Sequence, residues 1–243
     1  MAKDKNFNMN SVLLFETDFR SPDTVSLDGY RFEHLRKVLR VEPGTSVKVG
    51  LLNGMLGRGE VINLEKDSIE LRVDLTDQPP EALPLTLICA LQRPQTMKKV
   101  LQSAVAYGCK KMYFIGSRKV EKSYWDSPLL EEEALRKHII LGLEQGCDTL
   151  MPEIHFRRRF KAFVEDELAD IVNGSMGLTA HPSAPKACPA QVKGAVTLCI
   201  GPEGGFTDYE IELLEQHDCP PVHLGNRPLR TEFAVCALLG RLF

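Results

Sequence analysis

The sequence predicts an α/β protein in two parts: a small β-domain, then a larger domain in which strands alternate with helices on a mainly parallel sheet. Three observations carry this prediction. Residues 11–75 hold short apolar runs broken by turn residues, TDQPPEALP at 76–84 reads as a linker, and from residue 85 onward β-like runs alternate with helical spacing. Length agrees, because 243 residues are long for one compact unit and comfortable for two. The domain boundaries follow as 1–78 and 84–243.

In the first part, SVLLF (11–15), SVKVGLL (46–52), GEVINL (59–64) and SIELRVDL (68–75) read as strands of a small β-barrel, with Pro43, Gly44, Asn53 and Gly54 supplying turns. RFEHLRKVLR (31–40) departs from that pattern. Its Phe32, Leu35, Val38 and Leu39 fall at helical spacing, which predicts one short helix docked on the strands with Arg31, Arg36, Lys37 and Arg40 facing outward. The linker follows, since its prolines can neither donate to a ladder nor continue a helix.

In the second part, LTLICAL (85–91) precedes a helix near 95–107, and MYFIG (112–116) precedes one near 128–146. MGLTAHP (176–182) and VTLCIG (196–201) are strands, the latter leading to a helix from Thr207; VHLG (222–225) leads to a helix from Thr231 to the end. No internal repeat or low-complexity tract interrupts this order.

Composition excludes several classes. A 43% hydrophobic and 26% charged chain is ordinary for a soluble protein, and no apolar run approaches the roughly 20 residues of a membrane-spanning helix. MAKDKNFNMN at the amino terminus is polar and lacks the apolar segment of a secretion signal, so a cytoplasmic location is expected. The 7 cysteines show no C-x-x-C pairing and sit mostly in apolar stretches, which supports neither a disulfide framework nor a metal site.

The net charge of −3 conceals an uneven distribution. Between Gln92 and Tyr124, Arg93, Lys98, Lys99, Lys110, Lys111, Arg118, Lys119 and Lys122 face a single acid, Glu121. RFEHLRKVLR and RRRFK (157–161) repeat the trend. One such cluster is ordinarily a solvated face, but three together point to a polyanion such as RNA. Arg31, His34, Arg36, Lys37, Arg40, Arg93, Lys98 and Arg118 are the candidate RNA-binding residues.

Two glycine turns fall where strands should end. In CIGPEGGFTDYEI (199–211), the turn Gly201 to Gly205 leads into Thr207 and Glu210, which are spaced as a capping box. In VHLGNRPLRTEFAV (222–235), Gly225 ends a strand and Thr231 is placed to cap the last helix. Ligands of open parallel sheets bind beyond the carboxyl ends of strands, and glycine lets them approach the main chain. Tight connections between strand and helix would have the same spacing. Neither turn matches a phosphate-loop or dinucleotide fingerprint.

IGPEGGFTDYEI (200–211) and LGNRPLRTEFA (224–234) resemble the two signature segments of the RsmE family, the 16S rRNA uracil-N3 methyltransferases of the SPOUT superfamily. HLRKVLRVEPG (34–44) is similar to that family's PUA-like domain, EQGCDTLMPEI (144–154) to its E-Q-x-x-R segment, and HPSA (181–184) to the His-Pro near its cofactor site. The resemblance implies an α/β domain with a carboxyl-terminal trefoil knot, binding S-adenosylmethionine in a bent form, and a homodimer acting on 16S rRNA or the assembled small ribosomal subunit. It carries cofactor contacts onto His181, Ile200, Gly201, Gly204, Gly205, Leu224, Gly225, Leu229 and Thr231. Arg230, Glu203 and Glu232 become the catalytic candidates, a glutamate accepting the N3 proton and Arg230 stabilising charge on the uracil oxygens.

The chain also departs from the family. Ser103 and Ala106 stand where a lysine and a glutamate are expected, Asp148 where E-Q-x-x-R has arginine, and Phe233 where a small residue follows R-T-E. The cofactor loops are intact, whereas positions on the RNA side have changed. Methylation of a different rRNA nucleotide, or a non-catalytic ribosome-assembly factor on the same fold, are the alternatives; a small-molecule transferase leaves the β-domain without a role.

Overall fold

The computed structural model describes residues 11–243; the polar segment read at 1–10 lies outside them. The chain divides into two compact units, one of Met1–Glu81 with Ile140–Met151 and the other of Ala82–Ile139 with Pro152–Phe243. Among the described residues no helix is long and apolar enough to cross a membrane.

The first unit holds β1 (Val12–Leu14), β2 (Phe19–Ser21), β3 (Thr24–Leu27), α1 (Gly29–Glu33), β4 (Ser46–Leu51), β5 (Leu56–Leu64) and β6 (Ile69–Asp77). They form a curled six-stranded sheet in the order β1-β4-β5-β6-β3-β2, parallel only between β1 and β4. Alternation sets its core: Val47 and Val49 point inward on either side of exposed Lys48, and Val25, Leu27, Val61, Ile69 and Leu71 join them beneath Phe32 and Leu35. Residues 140–151 belong here because Ser11 N–H donates to the Glu144 carbonyl, and Asn53 N–H donates to that of Thr149.

The predicted helix at 31–40 is corrected in two respects. After α1 the backbone widens into a π-turn at His34–Val38, closed by the Leu39 N–H on the His34 carbonyl. This takes Val38 off the docking face, and it is 64% exposed. Arg31 does not face outward: at 7% exposure it donates to the Leu13 carbonyl and to both carboxylate oxygens of Asp18. Sequence reading also missed the β2–β3 hairpin, whose strands are only three and four residues long.

The second unit contains β7 (Leu83–Ala90), α2 (Pro94–Ala106), β8 (Cys109–Ile115), α3 (Glu132–Gly146, grouped with the first unit from Ile140), β9 (Glu153–Arg157), α4 (Phe160–Asp166) and α5 (Leu168–Val172). It continues with β10 (Met176–Ala180), β11 (Lys186–Ala187), β12 (Val196–Ile200), α6 (Asp208–Gln216), β13 (Pro221–His223) and α7 (Thr231–Leu242). All seven strands pair in parallel in the order β11-β13-β10-β12-β7-β8-β9. Central β12 is buried at every residue, as an apolar run covered on both faces must be. The predicted helix at 128–146 begins only at Glu132, because Ser127 caps a short 3-10 turn at Pro128–Leu130. Strands β9 and β11 and helices α4 and α5 were not predicted.

Candidate functional site

Four neighbouring strands end level with one another. The registers pair Ala180 with Ile200 and with Val222, and Ile200 with Cys89. Because the sheet is parallel, the segments leaving β13, β10, β12 and β7 emerge along one edge, which is where such sheets take ligands. Those segments surround a cavity of about 590 Å³. His181, Ile200, Gly201, Gly204, Gly205, Leu224, Gly225, Leu229 and Thr231 all line it, as do Arg93, Glu203, Arg230 and Glu232.

The first turn is bare for a steric reason. A Cβ on Gly201 would lie 2.9 Å from the Phe206 nitrogen, and Gly205 has a φ of +70°. Thr207 accepts from the Glu210 N–H while the Glu210 carboxylate accepts from the Thr207 N–H, so the predicted capping box closes. Buried Glu210 also accepts from the Arg118 N–H at 2.7 Å, and Lys119 Nζ donates to the Gly204 carbonyl at 2.7 Å. The loop after β8 therefore clamps the turn.

In the second turn Gly225, at φ +117°, donates its N–H to His223 Nδ1 at 2.9 Å. That bond places the proton of the neutral imidazole on Nε2. Thr231 does not cap α7: it is the first helical residue and buried, and Arg230 is the cap position without a side-chain cap bond. The Arg230 side chain is exposed and lines the cavity.

Both candidate carboxylates already have partners. Glu203 Oε1 accepts from the Arg93 N–H at 3.1 Å, and the Arg93 guanidinium lies 3.7 Å away. Glu232 accepts from Lys99 at 3.3 Å. A hydrogen bond with its own backbone, followed by Lys99, holds the Glu232 carboxyl below its ordinary range.

The basic candidates separate. Arg36, Lys37 and Arg40 are exposed in the first unit, with His34 half-buried beside them; Arg36 donates to the Lys66 carbonyl and Lys37 pairs with Glu33. Arg93, Lys98 and Arg118 are exposed in the second unit. RRRFK is not a free basic face: Arg157 is bonded to Glu167 at 2.6 Å, Lys161 lies 3.5 Å from Glu165, and the Arg158 guanidinium sits over the Trp125 ring.

Sequence reasoning missed Gln92, Lys119 and His223. Gln92 is buried and donates to the carbonyls of Ala90 and Gly201, tying the end of β7 to the first turn. Its Oε1 has no partner among the described residues. A buried polar residue at a strand end was the available signal, but only the fold supplies its partner.

Comparison with known proteins agrees with this geometry. Residues 79–242 match the RNA methyltransferase domain family, and residues 27–74 match the RNA methyltransferase PUA domain. The chain is 28% identical over 234 residues to ribosomal RNA small subunit methyltransferase E of Treponema pallidum (strain Nichols), covering 93% of this chain and 88% of that protein. It is 26% identical to ribosomal RNA small subunit methyltransferase E 1 of Borreliella burgdorferi, covering 94% and 95%. A crystal structure of a ribosomal RNA small subunit methyltransferase E from Neisseria gonorrhoeae, bound to S-adenosyl methionine, superposes with a TM-score of 0.67 at 24% identity, covering 95% of each chain. That likeness bears on the fold.

Proposed function

The chain belongs to the RNA methyltransferase domain family, and from that membership we propose that it transfers a methyl group from S-adenosylmethionine to N3 of a uridine in small-subunit ribosomal RNA. The observation carrying the proposal is the meeting of two bare-backbone turns on one cavity. Relatives named for small-subunit rRNA methylation at 24–28% identity supply the substrate class.

The cavity suits S-adenosylmethionine. Gly201 excludes a Cβ where the main chain must come close, while Leu224, Leu229 and Leu238 give apolar wall for the adenosine. The bound cofactor supplies an electrophilic methyl on a sulfonium. The chain's task is to align uracil N3 with that methyl and to remove the N3 proton. Because N3 lies on the Watson–Crick edge, the target base must be unpaired when it enters. In this reading Arg230 stabilises negative charge on the uracil oxygens, a role supported by its exposed side chain on the cavity wall. Glu203 fits the proton-accepting role better than Glu232, whose carboxyl is held low.

In this reading residues 1–78 bind RNA through His34, Arg36, Lys37 and Arg40, and residues 84–243 carry the transferase with Arg93, Lys98 and Arg118 on its RNA side. The trefoil threading belongs to the same reading and is supported by β13 lying between β10 and β11. A homodimer is supported by exposed apolar side chains on and beside the cavity wall, Leu229 at 46% and Phe233 at 57% exposure. Its place of action is the cytoplasm, where small subunits are assembled.

Nucleoside mass mapping of 16S rRNA from cells with and without the gene tests the proposal. One 3-methyluridine disappears in the deletion strain if it is right; an unchanged map, with no calorimetric binding of S-adenosylmethionine at millimolar concentration, favours a non-catalytic assembly factor.

A further inference from the structure

A second cavity, of about 180 Å³, lies within the first unit beside the start of β1. Val12 and Leu141 give it apolar walls, and Tyr30, Arg31, His34 and Glu144 give it polar ones. Nothing in the methyl-transfer chemistry uses it.

Its chemistry is one-sided. Glu144 Oε1 accepts from the Leu13 N–H at 3.2 Å and from the Tyr30 hydroxyl at 3.5 Å, and Oε2 has no hydrogen bond among the described residues. Arg31 does not satisfy that oxygen, because its guanidinium is committed to Asp18 and the Leu13 carbonyl. A carboxylate with open acceptor capacity thus sits beside a tyrosine that is 51% exposed. Such a pair suits a planar ligand that carries N–H donors on its edge and a face for stacking.

Guanine meets this description best among the four bases. Its N1–H and 2-amino group are adjacent donors at the spacing of the two oxygens of a carboxylate, one for the open Oε2 and the other for Oε1 in place of the long 3.5 Å bond from the Tyr30 hydroxyl, whereas adenine, cytosine and uracil each offer a single donor group on that edge. We propose that this cavity binds one unpaired guanine of the RNA substrate, Glu144 reading its Watson–Crick edge and Tyr30 stacking on its face. The proposal rests on the chain being an RNA methyltransferase, and it assigns the first unit a base-specific contact in addition to a basic surface.

Burial raises the Glu144 carboxyl to about 6 against the opposing pull of the Leu13 N–H and then of Arg31. Tyr30, Arg31 and His34 are the titratable groups that share the cavity. The reading oxygen is therefore an acceptor at pH 7.5 and protonated at pH 5, so guanine preference declines with acidification.

The test uses the full chain and single-stranded pentamers of uridine with guanosine, inosine or adenosine at the centre, followed by fluorescence anisotropy. Inosine lacks only the 2-amino group. The guanosine pentamer is expected to bind about tenfold tighter than the inosine one at pH 7.5, with the ratio falling towards unity at pH 5. Glu144→Gln keeps an acceptor for Leu13 but presents an amide, and its ratio is expected near unity at both pH values. Equal binding of guanosine and inosine pentamers by the unaltered protein overturns the guanine pocket while leaving the transferase reading intact. No binding of any pentamer or of rRNA, together with no S-adenosylmethionine binding, removes both.

Discussion

Glu203, in the first glycine turn, accepts a hydrogen bond from the backbone of Arg93, 110 residues earlier, at 3.1 Å. The carboxylate therefore fastens the turn to the start of α2. Two variants separate this anchoring from proton transfer. Glu203→Gln retains an acceptor, so anchoring predicts cofactor affinity within about twofold of the parent, whereas Glu203→Ala loses a bond of about 1 kcal/mol and weakens affinity about fivefold. If Glu203 also accepts the N3 proton, Glu203→Gln lowers kcat by about 10²–10⁴ with that affinity unchanged. Calorimetry and single-turnover rates read the two effects separately.

The glycines of that turn are not equivalent. A Cβ at position 201 meets backbone at 2.9 Å, while one at 204 meets the flexible Lys119 side chain at 3.0 Å. Gly201→Ala is expected to weaken S-adenosylmethionine binding at least tenfold and Gly204→Ala by less than threefold, because a lysine stem moves at little cost and a packed turn does not. Similar losses in both variants contradict a steric origin.

Glu232 and Arg230 adjoin in sequence and differ in expected role. With its carboxyl held below the ordinary range by its own backbone and Lys99, Glu232 is a poor proton acceptor. Glu232→Gln is expected to reduce kcat less than tenfold and to leave the acid limb of the pH–rate profile in place. Arg230→Ala is expected to reduce kcat by about 10- to 100-fold at saturating cofactor, with cofactor affinity within twofold. Loss of the acid limb in Glu232→Gln reverses the assignment.

Arg31 and Asp18 form a buried pair, each with about 8% of its side chain exposed. Removing one partner leaves an uncompensated charge, so Arg31→Met is expected to cost about 3–5 kcal/mol in urea unfolding, and Arg31→Met with Asp18→Leu to regain much of it. Arg36→Ala is expected to cost under 1 kcal/mol and to reduce the salt dependence of RNA binding, which Arg31→Met leaves unchanged.

These residues mark what a one-dimensional reading reaches. The central strands were legible because burial on both faces forces an unbroken apolar run, as in β12. The glycine turns were legible as turns from their spacing, and as a site only because the two segments that hold them resemble one family's paired signatures. The π-turn was not, since Phe32 and Leu35 keep helical spacing and only Val38 reveals the widening. Nor was the fate of Arg31, because its partner lies 13 residues earlier on a different element. Strand β9, with its mixture of Glu153, His155 and Arg157, lacks the apolar run that exposed its neighbours. Partner choice among charges is settled by tertiary structure, and composition shows only that charges are present.

Glu144 gives a prediction for stability as well as for recognition. Its carboxyl titrates at about 6 in the folded chain against an ordinary value of 4.5, chiefly because burial disfavours the charge. The folded state therefore holds this proton more tightly than the unfolded state does. Its contribution is fully present below pH 4.5 and is lost as pH rises through about 6, which amounts to about 2 kcal/mol. Glu144→Gln cannot ionise and escapes that loss. Urea unfolding at pH 4 and pH 7.5 should show the variant gaining about 2 kcal/mol on the parent between the two. Parallel pH–stability curves for the two proteins would mean that the carboxylate is solvated in the folded chain, and the predicted fall of guanine preference between pH 7.5 and pH 5 would lose its cause.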